Sequence, residues 1–597
     1  MPETSLDLTR LREAYLSGKL RPGALVAKVS ERIKRRGDDK VWIDLVPREQ
    51  LEARARELEA RDPASLPLYG VPFAIKDNID LAGRPTTAAC PDYAYTPAAS
   101  ATVVQRLLDA GAIAIGKTNL DQFATGLVGT RSPYGAPGNA FDPRYISGGS
   151  SAGSAVAVAA GLVSFALGTD TAGSGRVPAA FNNLAGLKPT CGLLSTQGVV
   201  PACRSLDCVS IFALNVQDAQ RVLAVAQGFD REDPFSRKDP GVQRAIGERF
   251  VFGVPRSSDL EFYGDGQARE LFERAIGRLE SLGGTRAEIN FQPFIETARL
   301  LYEGPWVAER WLVARDLMQR KPNALLPVTR TIIEKGAEKT AGDAFAATYR
   351  LRELKRETEP MWERVDLLVT PTAGTIYTKE AVDADPITLN SRLGYYTNFV
   401  NLLDLCALAV PAGFRRDGLP FGITLVAPAF QDNALCDLGA RVQRDFALPM
   451  GATGIELRGD QPSPQVSVQN ANIRVAVCGA HMSGLPLNRE LTQRGGRLVR
   501  ATRSAHCYRL FALEAFSPPR PGMLRAEGGG AIELEVWEVP SSTFGGFVDS
   551  IPGPLGIGTV ELEDDEKVRG FLCEHYATVG AKDITGLGGW RAYLARG

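Results

Sequence analysis

The sequence predicts an α/β protein of at least two domains, and three observations carry that prediction. Its 597 residues are too many for a single hydrophobic core. Between Gly70 and Ile115, short apolar runs alternate with a helical pattern, as in a sheet covered by helices. Beyond Leu457 the texture turns β-like.

Taken in order, Asp7–Arg36 has helical spacing (Leu8, Leu11 and Tyr15, then Leu25, Val29 and Ile33), with Gly18 placed to stop the first helix. Val71–Ile75 reads as a buried strand. Ser100 is placed to cap a helix carrying Val103, Val104, Leu107 and Leu108, closed by Gly111, and Ala112–Ile115 reads as a second buried strand. A helix is expected from about Ser154 and a strand over Val163–Leu167. Asp265–Arg364, rich in Glu, Arg, Leu and Ala, reads as mainly helical. The stretch 458–472 lacks apolar periodicity and carries two prolines, so it reads as a linker between domains at 1–457 and 473–597. In the tail, Ile532, Leu534 and Val536 alternate with glutamates. Thr559–Leu562 and Val568–Leu572 flank an acidic turn like a hairpin.

Lys and Arg number 68 against 69 Asp and Glu, so no basic surplus points to nucleic acid. The longest apolar stretch, around Ala155–Leu167, is too short to span a bilayer, and residues 1–11 hold no apolar signal core. Nine cysteines without paired spacing suit reduced thiols, and a cytoplasmic enzyme is the expectation. All three histidines, His481, His506 and His575, lie in the last fifth of the chain. The first 480 residues therefore hold neither a self-contained Ser-His-Asp triad nor a His-ligated zinc site.

The segment Gly148–Ser154 admits three readings. As a phosphate loop it fails, because no Gly-Lys-Ser/Thr follows. As a nucleophile elbow it centres Ser151 in G-x-S-x-G but lacks a nearby histidine. As a plain turn it simply opens a helix. Downstream, Gly168-Thr169-Asp170-Thr171-Ala172-Gly173-Ser174-Gly175-Arg176-Val177-Pro178 runs from strand to glycine loop to helix. Such a loop can aim several backbone N–H groups at one point. Lys76 ends an apolar strand, where loss of hydration would make a neutral lysine a usable base. Taken alone, such a lysine is more often a surface strand end. Asp170 and Arg176 flank Ser174 and read as braces.

These segments in this order (GVPFAIKDN, GGSSAGS, GTDTAGSGRVPA) resemble the amidase signature family over about residues 60–450. The resemblance implies a mixed β-sheet covered by helices and a Ser-Ser-Lys triad. Ser174 would be the nucleophile, Ser150 the bridging serine after a cis peptide, and Lys76 the base. Thr171, Ala172, Gly173 and Ser174 would form the oxyanion hole. A narrower resemblance is to the allophanate hydrolases of that family. It rests on Ala172 and Gly175 in the nucleophile loop, on Leu301–Arg310, and on a tail similar to their β-rich, γ-glutamyl cyclotransferase-like C-terminal domain. It implies Tyr302 and Arg310 on the substrate carboxylate, with Gly126 offering a backbone contact and His481 assisting breakdown of N-carboxycarbamate. For Arg310 a solvated helix face is the alternative, since Arg315 and Arg320 are near; for the tail it is an assembly role.

No cofactor and no metal are expected. The implied partners are a small-molecule substrate and a second copy in a homodimer, with neither nucleic acid nor membrane. No Lys adjoins any of the six Met residues, so the resemblance places urea carboxylation on a separate biotin-dependent carboxylase. The enzymatic alternatives are an amidase for another acid amide, such as malonamate, or an amidotransferase subunit.

Overall fold

The computed structural model describes residues 5–241, 245–458 and 473–596; the expected linker, Arg458 apart, lies outside them. The chain divides into two compact units, 1–239 with 245–463, and 464–597 with 240–244.

Among the described residues, the first unit is built on one mixed sheet of eleven strands. These are β1 (Trp42–Leu45), β2 (Pro72–Lys76), β3 (Ile113–Thr118), β4 (Phe165–Asp170), β5 (Ala185–Lys188) and β6 (Cys208–Ala213). They continue with β7 (Phe250–Pro255), β8 (Gly284–Ile289), β9 (Leu367–Pro371), β10 (Leu405–Phe414) and β11 (Pro420–Pro428). The spatial order is β1-β3-β2-β4-β6-β5-β10-β11-β9-β7-β8. Both faces are buried, so the central strands are apolar throughout rather than alternating. Phe73 and Ile75 of β2 pack into one core cluster with the helix Thr102–Asp109. Ala74 faces the other, against Ala155–Ala159. A two-residue pair, β12 (Pro449–Met450) with β13 (Ile455–Glu456), closes the unit.

The register of one parallel pair positions the chemistry. β2 and β4 lie side by side in parallel, with Phe73 opposite Phe165 and Ile75 opposite Leu167. Their C-terminal ends therefore emerge together, and a residue just past each alignment falls in the same place. Those residues are Lys76 and Thr169.

The second unit has a five-stranded sheet, ordered β15-β18-β14-β20-β19. Its strands are β14 (Ile473–Val477), β15 (Arg497–Arg503), β18 (Glu533–Val539), β19 (Leu555–Glu561) and β20 (Lys567–Cys573). A three-stranded sheet joins β16 (Tyr508–Leu513), β17 (Arg520–Arg525) and β21 (Lys582–Asp583) in the order β17-β16-β21. The expected hairpin is the antiparallel pair β19 and β20, although each strand is longer than its apolar alternation.

Three local expectations are corrected. Ser100 does not cap the helix Thr102–Asp109; Ala101 stands at its N-cap, and the Ser100 hydroxyl accepts from the Ala82 N–H at 3.1 Å. The strand expected at Val163–Leu167 runs over Phe165–Asp170, because Leu162–Ser164 turn the chain into it. The helical stretch Asp265–Arg364 is interrupted by β8. That strand is amphipathic and pairs in parallel with β7 only at the sheet edge, so its charged residues Arg286 and Glu288 mask it. Among the described residues, no helix is long and apolar enough to cross a membrane.

Candidate active site

Lys76 is wholly buried at the end of β2, and its Nζ donates to Ser150 Oγ and to Thr169 Oγ1, each at 2.7 Å. Burial pushes its pKa down from 10.5 to about 7, against the raising pull of Asp121, Asp207 and Asp170. The amine is thus poised to exchange a proton near neutrality. Ser150 follows the cis peptide Gly149–Ser150 and leads into the helix Ala152–Ala159. Among the described residues its hydroxyl bonds to Lys76, and no hydrogen bond joins it to Ser174. Such contacts are often open before substrate binds.

Ser174 stands on the loop between β4 and the helix Val177–Phe181, whose second residue is Pro178. The loop is held from beneath. Asp170, wholly buried, accepts from the Gly173 N–H at 2.8 Å and the Gly175 N–H at 3.0 Å. It also pairs with Arg176 through two bonds of 2.9 Å. Burial alone would raise its pKa, yet the Arg176 charge and hydrogen bonds hold it below the usual carboxylate range. Arg176 is therefore a brace, as its position suggested. One oxyanion expectation changes here: the Gly173 N–H is already engaged by Asp170. The N–H groups of Thr171, Ala172 and Ser174 find no acceptor among the described residues. Gly173 itself, at φ 133°, sits where a Cβ would come within 2.4 Å of Thr397 Oγ1.

Ser151, the residue centred by the elbow motif, is wholly buried and spans the Thr169 backbone, donating to its C=O at 3.2 Å. It fastens the helix start to β4, and the elbow reading fails on that geometry.

Asp207 went unnoticed in the sequence. It is buried beside the loop and accepts from Thr171 Oγ1 and from the N–H groups of Ala202 (2.7 Å) and Cys203 (3.2 Å). Burial raises its pKa to about 6. Asp121 is likewise buried, accepting from Gly129 N–H at 3.0 Å and Arg131 N–H at 2.9 Å. It fixes the loop containing Gly126, where a Cβ would meet Asp121 Oδ2 at 2.6 Å.

Arg310 lies on the helix Val307–Arg320 but is only 3% exposed, so the solvated-face alternative is overturned. Its Nη1 donates to Ala124 O (3.2 Å) and Thr125 Oγ1 (3.0 Å), and its Nη2 to the Tyr302 hydroxyl (3.4 Å). Arg131, buried as deeply, donates to the carbonyls of Thr125 (2.9 Å) and Pro386 (2.5 Å). Among the described residues no carboxylate forms an ion pair with either guanidinium. Both guanidiniums bond directly to neutral oxygens, and the Asp121 and Asp207 carboxylates act on them only at longer range, an arrangement suited to an anionic ligand. A cavity of about 420 Å³ opens nearby, lined by Arg131, Tyr302, Arg299, Asn390 and Arg392 among others. Tyr302 stands between this cavity and Arg310; Lys76, Ser150, Ser174 and Arg310 do not line it.

In the second unit His481 is 6% exposed, stacked on Phe571 with centroids 5.0 Å apart and edge-on to Phe547 at 5.5 Å. Its Nε2 lies 3.1 Å from Glu490 Oε2, and burial draws its pKa below the usual imidazole value.

Residues 24–436 match the family model described as Amidase, and residues 473–595 that of the Allophanate hydrolase C-terminal domain. The Saccharomyces cerevisiae protein named Urea amidolyase is 46% identical over 576 residues, covering 93% of this chain and 31% of that protein. The Urea amidolyase of Lachancea kluyveri is 45% identical over 580 residues with the same coverage, so the chain spans 31% of the length of either relative. The solved structure of Kluyveromyces lactis Allophanate Hydrolase is 42% identical, with a TM-score of 0.76 over 98% of this chain and 99% of that one.

Proposed function

The chain belongs to the amidase family, and from that premise we propose that it hydrolyses allophanate to ammonia and carbon dioxide or bicarbonate. The observation that carries the substrate is the buried, carboxylate-free guanidinium of Arg310 beside the Tyr302 hydroxyl. Allophanate is a urea bearing a carboxylate, and a guanidinium grips a carboxylate with two parallel hydrogen bonds. The likeness to Kluyveromyces lactis Allophanate Hydrolase along nearly the whole of both chains supports the same reading.

In this reading Ser174 attacks the amide carbonyl as its proton passes to Ser150 and the Ser150 proton to Lys76. The hydroxyl of Ser150 both donates and accepts, as a relay requires. The N–H groups of Thr171, Ala172 and Ser174 stabilise the oxyanion, with Gly173 shaping the loop rather than donating. Lys76 returns the proton through Ser150 to the departing ammonia. Water then resolves the acyl-enzyme to N-carboxycarbamate, which loses carbon dioxide and yields the second ammonia. Tyr302, Arg310 and the Gly126 backbone hold the carboxylate, and His481 assists the later breakdown. The same proposal includes a homodimer in the cytoplasm and a urea-carboxylating enzyme as the source of substrate.

The test is ammonia release from allophanate, malonamate and glutamine. The proposal expects allophanate to be preferred by a wide margin. Preference for malonamate would mean a general acid-amidase, and glutamine alone would mean an amidotransferase subunit.

A further inference from the structure

Lys188 ends β5 with its side chain wholly buried, and it takes no part in the acyl transfer described above. An ammonium has three donors. Here they meet Pro189 O at 2.6 Å, Cys191 Sγ at 3.7 Å and Cys208 Sγ at 3.8 Å. The nearby carboxylates are committed elsewhere: Asp170 to Arg176, Asp404 to Arg237, and Asp432 to Thr190. A buried ammonium needs a counter-charge, and the group within reach that can supply one is a thiolate.

The two sulfurs sit crosswise. Cys191 Sγ lies 3.4 Å from Leu206 O, and Cys208 Sγ 3.4 Å from Pro189 O, so each sulfur lies against the other's chain segment. Cys191 is half-buried and Cys208 fully buried. Hydrogen bonding from Cys208, with the Lys188 charge behind it, draws the Cys191 thiol below its usual range. Burial pushes Cys208 up. This is the asymmetry of an attacking and a resolving cysteine.

We propose that Cys191 and Cys208 form a peroxide-responsive pair, templated by Lys188, whose oxidation to a disulfide slows the enzyme. The Cys191 thiolate attacks one oxygen of a hydroperoxide and the O–O bond breaks. The leaving alkoxide or hydroxide takes up a proton, and Cys191 becomes a sulfenic acid. Cys208 sulfur then attacks that of Cys191; the S–O bond breaks and the hydroxyl leaves as water with the Cys208 proton. Two thiols and one hydroperoxide thus give one disulfide, one alcohol or water, and one water.

The effect reaches the active site through β6. Cys208 pairs with Asp170 across the sheet, and Asp207 before it receives the Thr171 hydroxyl. Asn401 ties Leu206 O to Asp170 O with bonds of 2.9 and 2.8 Å. Drawing Cys208 towards Cys191 pulls on this brace of the nucleophile loop.

The experiment treats the full chain with hydrogen peroxide, then reads amide hydrolysis and the masses of unreduced peptides. The expected result is a Cys191–Cys208 cross-linked peptide, activity lowered about tenfold, and recovery with dithiothreitol. Cys191→Ser and Cys208→Ser should start active and resist the same dose. Absence of that cross-link, or equal inactivation of Cys191→Ser and wild type, overturns the proposal and moves the damage to another thiol such as Cys203. Should the serine variants fail to fold, iodoacetamide labelling of the wild type decides. Cys191 should react about tenfold faster than Cys507, the other half-buried thiol, and equal rates would sink the idea.

Discussion

Lys76 Nζ stands 2.7 Å from Ser150 Oγ, and the lysine side chain is wholly buried. A lysine whose pKa has fallen to about 7 is the neutral base above neutrality and an idle ammonium below it. The rate kcat/KM should therefore rise with pH through about 7, measured from about pH 5.5 to about pH 9. Lys76→Ala should lose about 10³-fold or more in kcat and with it this limb of the profile. A profile flat across that range would mean that Lys76 does not change its protonation state there and is not the base that limits the rate.

The same burial makes Lys76 a cost to stability. Its folded pKa of about 7 lies below the ordinary 10.5, so between those values the folded chain binds fewer protons than the unfolded one. Stability then rises with pH across that window, and the penalty is greatest below about 7. Lys76→Met, dead as an enzyme, should be more stable by about 1–4 kcal/mol at neutral pH. Urea denaturation should give a gain that shrinks as pH climbs towards 10.5.

Arg176→Met tests the brace under the Ser174 loop. It leaves the buried Asp170 carboxylate with two backbone N–H donors and no directly paired cation, only the more distant Lys188 charge. The loss should be about 3–5 kcal/mol near neutral pH, with kcat reduced as the loop loosens. Because Asp170 is held below its ordinary 3.8, the wild-type advantage is present above that value. It should narrow as pH falls through it and protonation makes the lone carboxyl tolerable. A pH-independent difference would assign Arg176 a packing role.

What was legible in the sequence was local. β2 and β4 announce themselves as apolar runs that stop at a polar residue, and Lys76, Ser150 and Ser174 lie within motifs that survive as contiguous strings. Thr169 sat inside one of those motifs, yet its contact with Lys76 depends on the parallel register of two strands 93 residues apart. Asp207, Asp121 and Arg131 carried no signal at all. Each reads as a solvated charge until the fold buries it, and nothing in the surrounding residues encodes that burial. The bond from the Gly173 N–H to Asp170 was hidden for the same reason, since it is set by loop geometry rather than by residue type. Cys191 and Cys208 lack any paired spacing and meet only because β5 and β6 are neighbours.

In the second unit, the His481 ring is held between Phe571 and Glu490. If it serves the breakdown of N-carboxycarbamate, His481→Ala should leave release of the first ammonia intact and let that intermediate accumulate. Carbon-13 NMR of labelled substrate would detect it. Unchanged product kinetics with an altered oligomer size would give the unit an assembly role.

The substrate assignment stands on Arg310. A carboxylate entering this site gives up its water, which is costly unless a cation and donors replace it. Arg310 offers both, from a side chain already immobilised by Ala124 O and Thr125 Oγ1 and backed by the Tyr302 hydroxyl. Truncating one partner of a buried charge pair costs about 2–5 kcal/mol, so Arg310→Ala should lower kcat/KM for allophanate by roughly 30-fold or more. Lys at this position should rescue only in part, because an ammonium lacks the planar fork. Tyr302→Phe should cost less, about tenfold or below, since it removes one neutral hydrogen bond. Propionamide has no carboxylate to place and should be nearly indifferent to all three changes. The measurement is kcat/KM for both amides across the series, with Arg131→Met as a comparison at the neighbouring guanidinium. Equal losses on the charged and the uncharged substrate would make Arg310 a brace of the Ala124–Gly126 turn. Specificity would then have to come from Arg131 and the cavity it lines.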